Sequence, residues 1–266
     1  MFIWMIFQII IESLPISSSG HILLLKNIYT TLGYVWQYDY LENINFLFHL
    51  SAIGIMLFYF FNQWSMMVIG KKFEMKDLVK LSTYEKAIKP IIFVLTADIM
   101  TFVLWKVDIA NYFYIQKYFL PFGFFITAIM LYQTKHMKDK NIKNYFSLYH
   151  AILLGLVQGF AFLPGISRFA ATFFATRFIG YNLKDSFALS FLIQFPLVCA
   201  AVLYAFIQLQ NTIFTGIFNL PMLFGMVVLT FLSYKIFCMV GSLIEKNKIW
   251  YFSYYMLIPI MFAILF

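Results

Sequence analysis

The stretch IESLPISSSGH, Ile11–His21, interrupts an apolar run that extends over residues 1–28. Glu12, Pro15, four serines, Gly20 and His21 stand together where the flanking residues are almost all apolar. Neither side of the interruption is long enough to cross a bilayer, which takes about 20 apolar residues as helix. A helix that enters halfway, turns at Pro15 and returns accounts for the lengths and for the polar centre. Irregular backbone at membrane depth is tolerated only where it lines a cavity or is buried in protein. The segment therefore reads as a re-entrant helical pair whose turn faces a cavity.

A second interruption lies in the apolar region 147–180, at LPGISRFAATFFATR, Leu163–Arg177. Six uninterrupted apolar runs, 43–63, 84–105, 113–133, 187–209, 218–241 and 249–266, are long enough to span. The order is re-entrant pair, three spans, re-entrant pair, three spans. Three is odd, so the second unit enters the membrane upside down relative to the first. The breaks resemble each other, with Gln8 before Leu14-Pro15-Ile16-Ser17 and Gln158 before Leu163-Pro164-Gly165-Ile166-Ser167. The expected fold is an all-α polytopic membrane protein with an inverted-topology repeat, 1–133 and 147–266. Each half is a re-entrant helix-turn-helix plus three transmembrane helices, with a binding site at the repeat interface.

Composition agrees with a membrane protein. The 266 residues are 63% hydrophobic and 11% charged, with a mean hydropathy of +0.84, against about 25% charged in a soluble domain. The net charge of +8 does not point to nucleic acid, because the lysines sit in short loops beside apolar runs. Six fall in 71–89 and four in 135–143, which makes those loops cytoplasmic and leaves both termini outside. The stretch 64–83 mixes apolar and charged residues and is expected to lie along the inner surface. Cys199 and Cys238 form no metal-ligand or disulfide pattern. The first residues lack the features of a signal peptide.

In the first break Gln8 and Glu12 share a helix face, Ser17 is a suitable N-cap for the returning helix, and Ser18 and His21 are three apart on one face. An ionised carboxylate such as Glu12 at this depth is costly unless it is paired or functional. Free N–H groups at a helix start attract phosphate. The chain holds 19 basic residues, and its two arginines, Arg168 and Arg177, both lie in the second break or the helix after it. A guanidinium grips phosphate oxygens in bidentate fashion. Arg168 follows Ser167, which is placed to cap the second inner helix. Arg177 is nine residues on, about half a turn round the helix, and reads as an anchor at the cytoplasmic end.

At these residues the sequence resembles the undecaprenyl-diphosphate phosphatase family, also called bacitracin-resistance proteins. The family's first motif, E-x-x-x-E-F-L-P-[IV]-S-S-[ST]-G-H, stands here as Gln8 through His21, and P-G-x-S-R-S-G-[AS]-T stands as Pro164 through Thr172. A later F-S-F-L-L-x-x-P run is similar to Leu189 through Pro196. Three departures are plain. Gln8 replaces the first glutamate, Phe169-Ala170 replaces Ser-Gly, and His49 falls in Ile44–Ser51 where the family reads F-E-x-x-x-Q-L-G. His49 is either part of the wall or an added proton-transfer group. Asp98, in LTADIMTF, is an intramembrane acid that the family pattern leaves unexplained; it is either functional or paired with a hydroxyl across a helix interface.

The resemblance implies hydrolysis of undecaprenyl diphosphate to undecaprenyl phosphate and inorganic phosphate, at a site in the cytoplasmic (inner) membrane that opens to the outer face. It implies catalytic roles for Glu12, Ser18, His21 and Arg168, and substrate binding by Gln8, Ser17, Ser19, Gly165, Ser167 and Thr172. A divalent cation, Mg²⁺ or Ca²⁺, is expected on Glu12, less tightly held for the loss of two carboxylates. The nucleophile is either Ser18 activated by His21 or a water oriented by Glu12 and His21. The partners expected are a polyprenyl diphosphate lipid and membrane lipid, no nucleic acid, and a second copy of the chain in a homodimer. A type-2 phosphatidic acid phosphatase fits poorly, because Phe174 stands where that class needs its nucleophilic histidine. A polyprenyl-phosphate flippase using the same cradle is the rival from another class, and an inactive relative is the third reading.

Overall fold

The computed structural model describes residues 2–34, 41–69, 81–106, 116–140, 142, 145–208 and 220–266. Helix α1, Phe2–Ile11, and helix α2, Ser18–Thr31, flank the first break. The last turn of α1 tightens, with Ser13 N–H on the Ile10 carbonyl at 3.2 Å and Leu14 N–H on the Ile11 carbonyl at 3.0 Å. Pro15 then stops it. The Ser17 hydroxyl accepts the Gly20 N–H at 3.1 Å and starts α2.

The second break is built the same way. Helix α6, Leu148–Phe160, ends with Phe162 N–H on Gly159 and Leu163 N–H on Phe160, both at 3.1 Å. Pro164 and Gly165 follow, and Ser167 caps α7, Arg168–Ile179, by accepting the Ala170 N–H at 3.2 Å. Gly180, at φ 117°, closes α7 with its N–H on the Thr176 carbonyl.

The remaining elements are α3, Leu41–Ile69; α4, Leu81–Lys106; α5, Gln116–Gln133; α8, Leu183–Gln208; and α9, Leu220–Glu245. A 3₁₀ turn, Ile249–Tyr251, leads into α10, Phe252–Tyr255, and α11, Leu257–Leu265. Four of the six expected spans contain helix long and apolar enough to cross a membrane: Leu47–Val68, Ala87–Lys106, Leu183–Gln208 and Leu223–Glu245. The runs expected at 113–133 and 249–266 are the shorter helices α5 and Ile249–Leu265. The chain is thus an all-helical, multi-pass membrane protein over its described residues.

The surface helix expected over 64–83 is corrected as far as residue 69. Residues 64–69 continue α3, because Trp64 donates its indole N–H to the Ala188 carbonyl at 2.9 Å and stacks on Phe60. Residues 70–80 lie outside the described residues, as do the expected span ends at 113–115, 209 and 218–219.

In lipid, helices associate through close packing and hydrogen bonds rather than exclusion from water. Helices α3 and α8 pack together at the centre through Phe60, Phe187 and Phe191, with Phe237 of α9 against them. Helix α4 lies on α6, where a Cβ on Gly155 would stand 2.3 Å from the Ala97 carbonyl oxygen. Helix α9 lies on α1, where Ser233 donates to the Ile9 carbonyl at 2.6 Å and meets the Ser13 hydroxyl.

In the last turn of α7, Arg177 is 3% exposed and pairs with Asp139 at 2.5 Å and the Met137 carbonyl at 2.7 Å. It also donates to the Tyr181 carbonyl. It anchors the loop end of this region and points away from the breaks. Nearby, burial first and then the bond to Asp185 push the Tyr145 hydroxyl up to about 12.

Candidate active site

The two breaks touch. A Cβ on Gly20 would stand 2.8 Å from both the nitrogen and the Cα of Gly165. Gly165 itself sits at φ +86°, and a Cβ there would lie 2.6 Å from the Leu120 carbonyl oxygen. Thr127 of α5 fastens the second break: its hydroxyl donates to the Gly165 carbonyl at 2.8 Å and accepts the Ser167 N–H at 3.0 Å. Glycine is required here by close backbone approach and, at 165, also by the left-handed conformation.

Around this contact lies a cavity of about 380 Å³. Gln8, Glu12, Ser17, Ser18 and Ser19 line it from the first break, and Ser167 and Arg168 from the second. His49 of α3, Gln194 of α8 and Lys26 of α2 complete its polar wall, while Leu23, Phe162, Phe169 and Phe191 are among its apolar lining.

Glu12 is the hub. Its Oε2 accepts the Ser18 hydroxyl at 2.8 Å and faces the Gln8 amide Nε2 at 3.5 Å. Its Oε1 lies 3.4 Å from His49 Nδ1. The Arg168 guanidinium sits 5.5 Å from the centre of the Phe162 ring, and its Nε–H has no acceptor among the described residues. Helices α2 and α7 both begin here, and beyond the N–H that each cap serine binds, further first-turn N–H groups remain for an anion. The site thus combines a hydroxyl on a carboxylate, a guanidinium and two helix starts, which is the equipment for phosphoryl transfer.

Seven of the ten residues singled out from the sequence line the cavity: Gln8, Glu12, Ser17, Ser18, Ser19, Ser167 and Arg168. His21 does not. Its Nδ1 is 2.6 Å from the Ser17 carbonyl and its Nε2 is 3.1 Å from the Tyr255 hydroxyl, with the ring 5.1 Å from that of Phe124. The expected Ser18–His21 pair is therefore corrected to Ser18–Glu12. Spacing puts both side chains on one helix face, but a charge-assisted bond draws the hydroxyl to the carboxylate, and Tyr255 and Phe124 hold the ring behind. Gly165 and Thr172 are also off the wall. Gly165 shapes the turn. Thr172 accepts the Gln194 Nε2 at 3.1 Å and so holds that amide at the cavity.

Sequence reasoning missed Gln194 and Lys26. Gln194 was legible as a lone amide in an apolar run; Lys26 carried no signal beyond its charge. His49 is in the wall and beside Glu12 as well, so both of its weighed roles have a geometric basis.

No group of three or more His, Cys, Asp or Glu side chains able to share an ion occurs among the described residues. Among the described residues, Glu12 is the one carboxylate in the cavity lining. The Gln8 Oε1 beside it is buried and has no donor among the described residues. One carboxylate plus an amide oxygen fits a hard cation that takes its other ligands from phosphate oxygens and water, as Mg²⁺ commonly does. It does not fit a closed, all-protein cage.

The sequence model of a family described as "Bacitracin resistance protein BacA" matches residues 1–262. The undecaprenyl-diphosphatase of Thermotoga petrophila is 30% identical over 257 residues, 95% of this chain and 93% of that protein. That of Alkaliphilus metalliredigens is 27% identical over 263 residues, 94% and 91%. That of Methanococcus maripaludis is 27% identical over 264 residues, 98% and 97%.

Proposed function

The chain belongs to the bacitracin resistance protein BacA family, and from that premise we propose that it hydrolyses undecaprenyl diphosphate to undecaprenyl phosphate and inorganic phosphate. The observation that carries this reading is the Ser18–Glu12 hydrogen bond of 2.8 Å inside a cavity that also holds Arg168. The names of the similar proteins support the same substrate. The product is the lipid monophosphate that carries sugars for cell-wall synthesis. The enzyme works in the cytoplasmic (inner) membrane, with lysine-rich loops inside and the cavity open to the outer face.

Arg168 and the starts of α2 and α7 bind the diphosphate oxygens. Ser18 Oγ attacks the terminal phosphorus while Glu12 takes the hydroxyl proton. The bond to the bridging oxygen breaks, and the lipid monophosphate leaves with the proton from Glu12. A water then attacks the Ser18 phosphoester, Glu12 takes the water's proton, and Ser18 recovers a proton as phosphate departs. His21 is a positioning residue that fixes the Ser17 carbonyl and hence the start of α2. Gln194, its amide N–H groups donated to Thr172 and the Ser190 carbonyl, shapes the far wall. Glu12 and Gln8 would hold a Mg²⁺ or Ca²⁺, and that ion would supply charge neutralisation.

The two halves, 1–133 and 147–266, are read as an inverted repeat. Reciprocal packing supports this: α4 of the first half lies on α6 of the second, and α9 of the second lies on α1 of the first.

Purified protein in detergent should release inorganic phosphate from a polyprenyl diphosphate. Vesicles in which labelled lipid crosses the bilayer with no phosphate released would instead identify a flippase.

A further inference from the structure

Asp98 lies on α4, outside the lining of the active-site cavity. Both of its carboxylate oxygens are buried, and neither accepts a hydrogen bond from a described residue. The polar side chain beside it is Gln158 of α6. The Gln158 Nε2 is directed to Thr101 Oγ1 at 3.3 Å and the Ile193 carbonyl at 3.4 Å. Its Oε1 is buried and also lacks a donor among the described residues. Thr101 supplies none, because its single hydroxyl proton is shared between the Ala97 carbonyl at 2.9 Å and the Gly155 carbonyl at 3.0 Å.

Oxygen atoms of two side chains thus want a donor where α4 and α6 are locked together by the close approach of Gly155 to Ala97. An unpaired buried carboxylate costs several kcal/mol. Among the described residues, the histidine, lysine and carboxylate side chains on the helices packed against α4 are engaged elsewhere. His150 of α6 bonds Tyr181, His49 of α3 faces Glu12, and on α8 Lys184 pairs with Glu245 while Asp185 accepts from Tyr145.

We propose that Asp98 is a proton-binding site of the membrane interior, held as the neutral acid with its O–H donated to the Oε1 of Gln158. One proton then satisfies both side chains. It also ties α6, which leads directly into the break that carries Arg168, to α4. The argument is independent of the phosphatase reading.

Infrared spectroscopy of the full chain in lipid vesicles, with ¹³C in the aspartate side-chain carboxyls, tests this without an activity readout. The expected result is a protonated-carboxyl C=O band at neutral pH that is present in the wild type and in Glu12→Gln and lost in Asp98→Asn. In Gln158→Leu the band should move to higher frequency as its hydrogen bond goes, a result that serves even if Asp98→Asn does not fold. Absence of the band in the wild type, its persistence in Asp98→Asn, or an unmoved band in Gln158→Leu would overturn the proposal.

Discussion

Ser18 Oγ donates to Glu12 Oε2 at 2.8 Å across the first break, six residues apart in sequence but on either side of Pro15. The proposed nucleophile and its base are joined by the turn itself. Ser18→Ala and Glu12→Gln should each lower the initial rate of phosphate release by about 10²–10⁴. The double variant should be little worse than either single one, because the two act as a unit. A serine variant with near wild-type turnover would instead favour direct attack by water.

Arg168 should not tolerate lysine. The ammonium keeps the charge but loses the planar fork, so Arg168→Lys is expected to cost about 10² in rate. Thermal unfolding should be near wild type, which separates this loss from misfolding.

His21→Ala should lower thermal stability, since it removes the contacts to the Ser17 carbonyl, Tyr255 and Phe124. The rate per folded molecule should fall less than about tenfold, well short of what losing a general acid–base group costs. A pH–rate profile unchanged from wild type would confirm the positioning role; loss of one limb would return His21 to the chemistry.

Gly165→Ala should destabilise the fold by about 1–3 kcal/mol or more, from a strained φ and from collision with the Leu120 carbonyl. Denaturation midpoints in detergent check this, and activity should fall with stability because the same turn orients Ser167 and Arg168.

Chelation should slow phosphate release, and added Mg²⁺ should restore it. Gln8→Glu puts a second carboxylate beside Glu12 and should lower the Mg²⁺ concentration for half-maximal rate by about tenfold. A rate indifferent to chelator, in the wild type and in this variant, would remove the cation from the site.

Both breaks were legible because their causes are local. A proline stops one helix, a serine two or three residues later caps the next, and the apolar lengths on either side are too short to cross. The fate of His21 was not legible, because Tyr255 is 234 residues away in sequence and no spacing rule reports a partner at that distance. Lys26 escaped for a similar reason, since only the tertiary structure sets how its helix docks on the cavity, whereas Gln194 was marked in the sequence as a lone amide in an apolar run. The end of α3 was misread at Trp64, whose burial depends on a carbonyl of α8 rather than on its neighbours in sequence.

Phe169, standing where the motif that this stretch resembles has serine, packs 4.8 Å from Phe191, which in turn meets Phe60 and Phe237 of the central core. The aromatic lining of the cavity is therefore continuous with the core that packs α3, α8 and α9 together. A substitution that softens this aromatic spine should therefore be felt both in the shape of the cavity and in the resistance of the fold to heat.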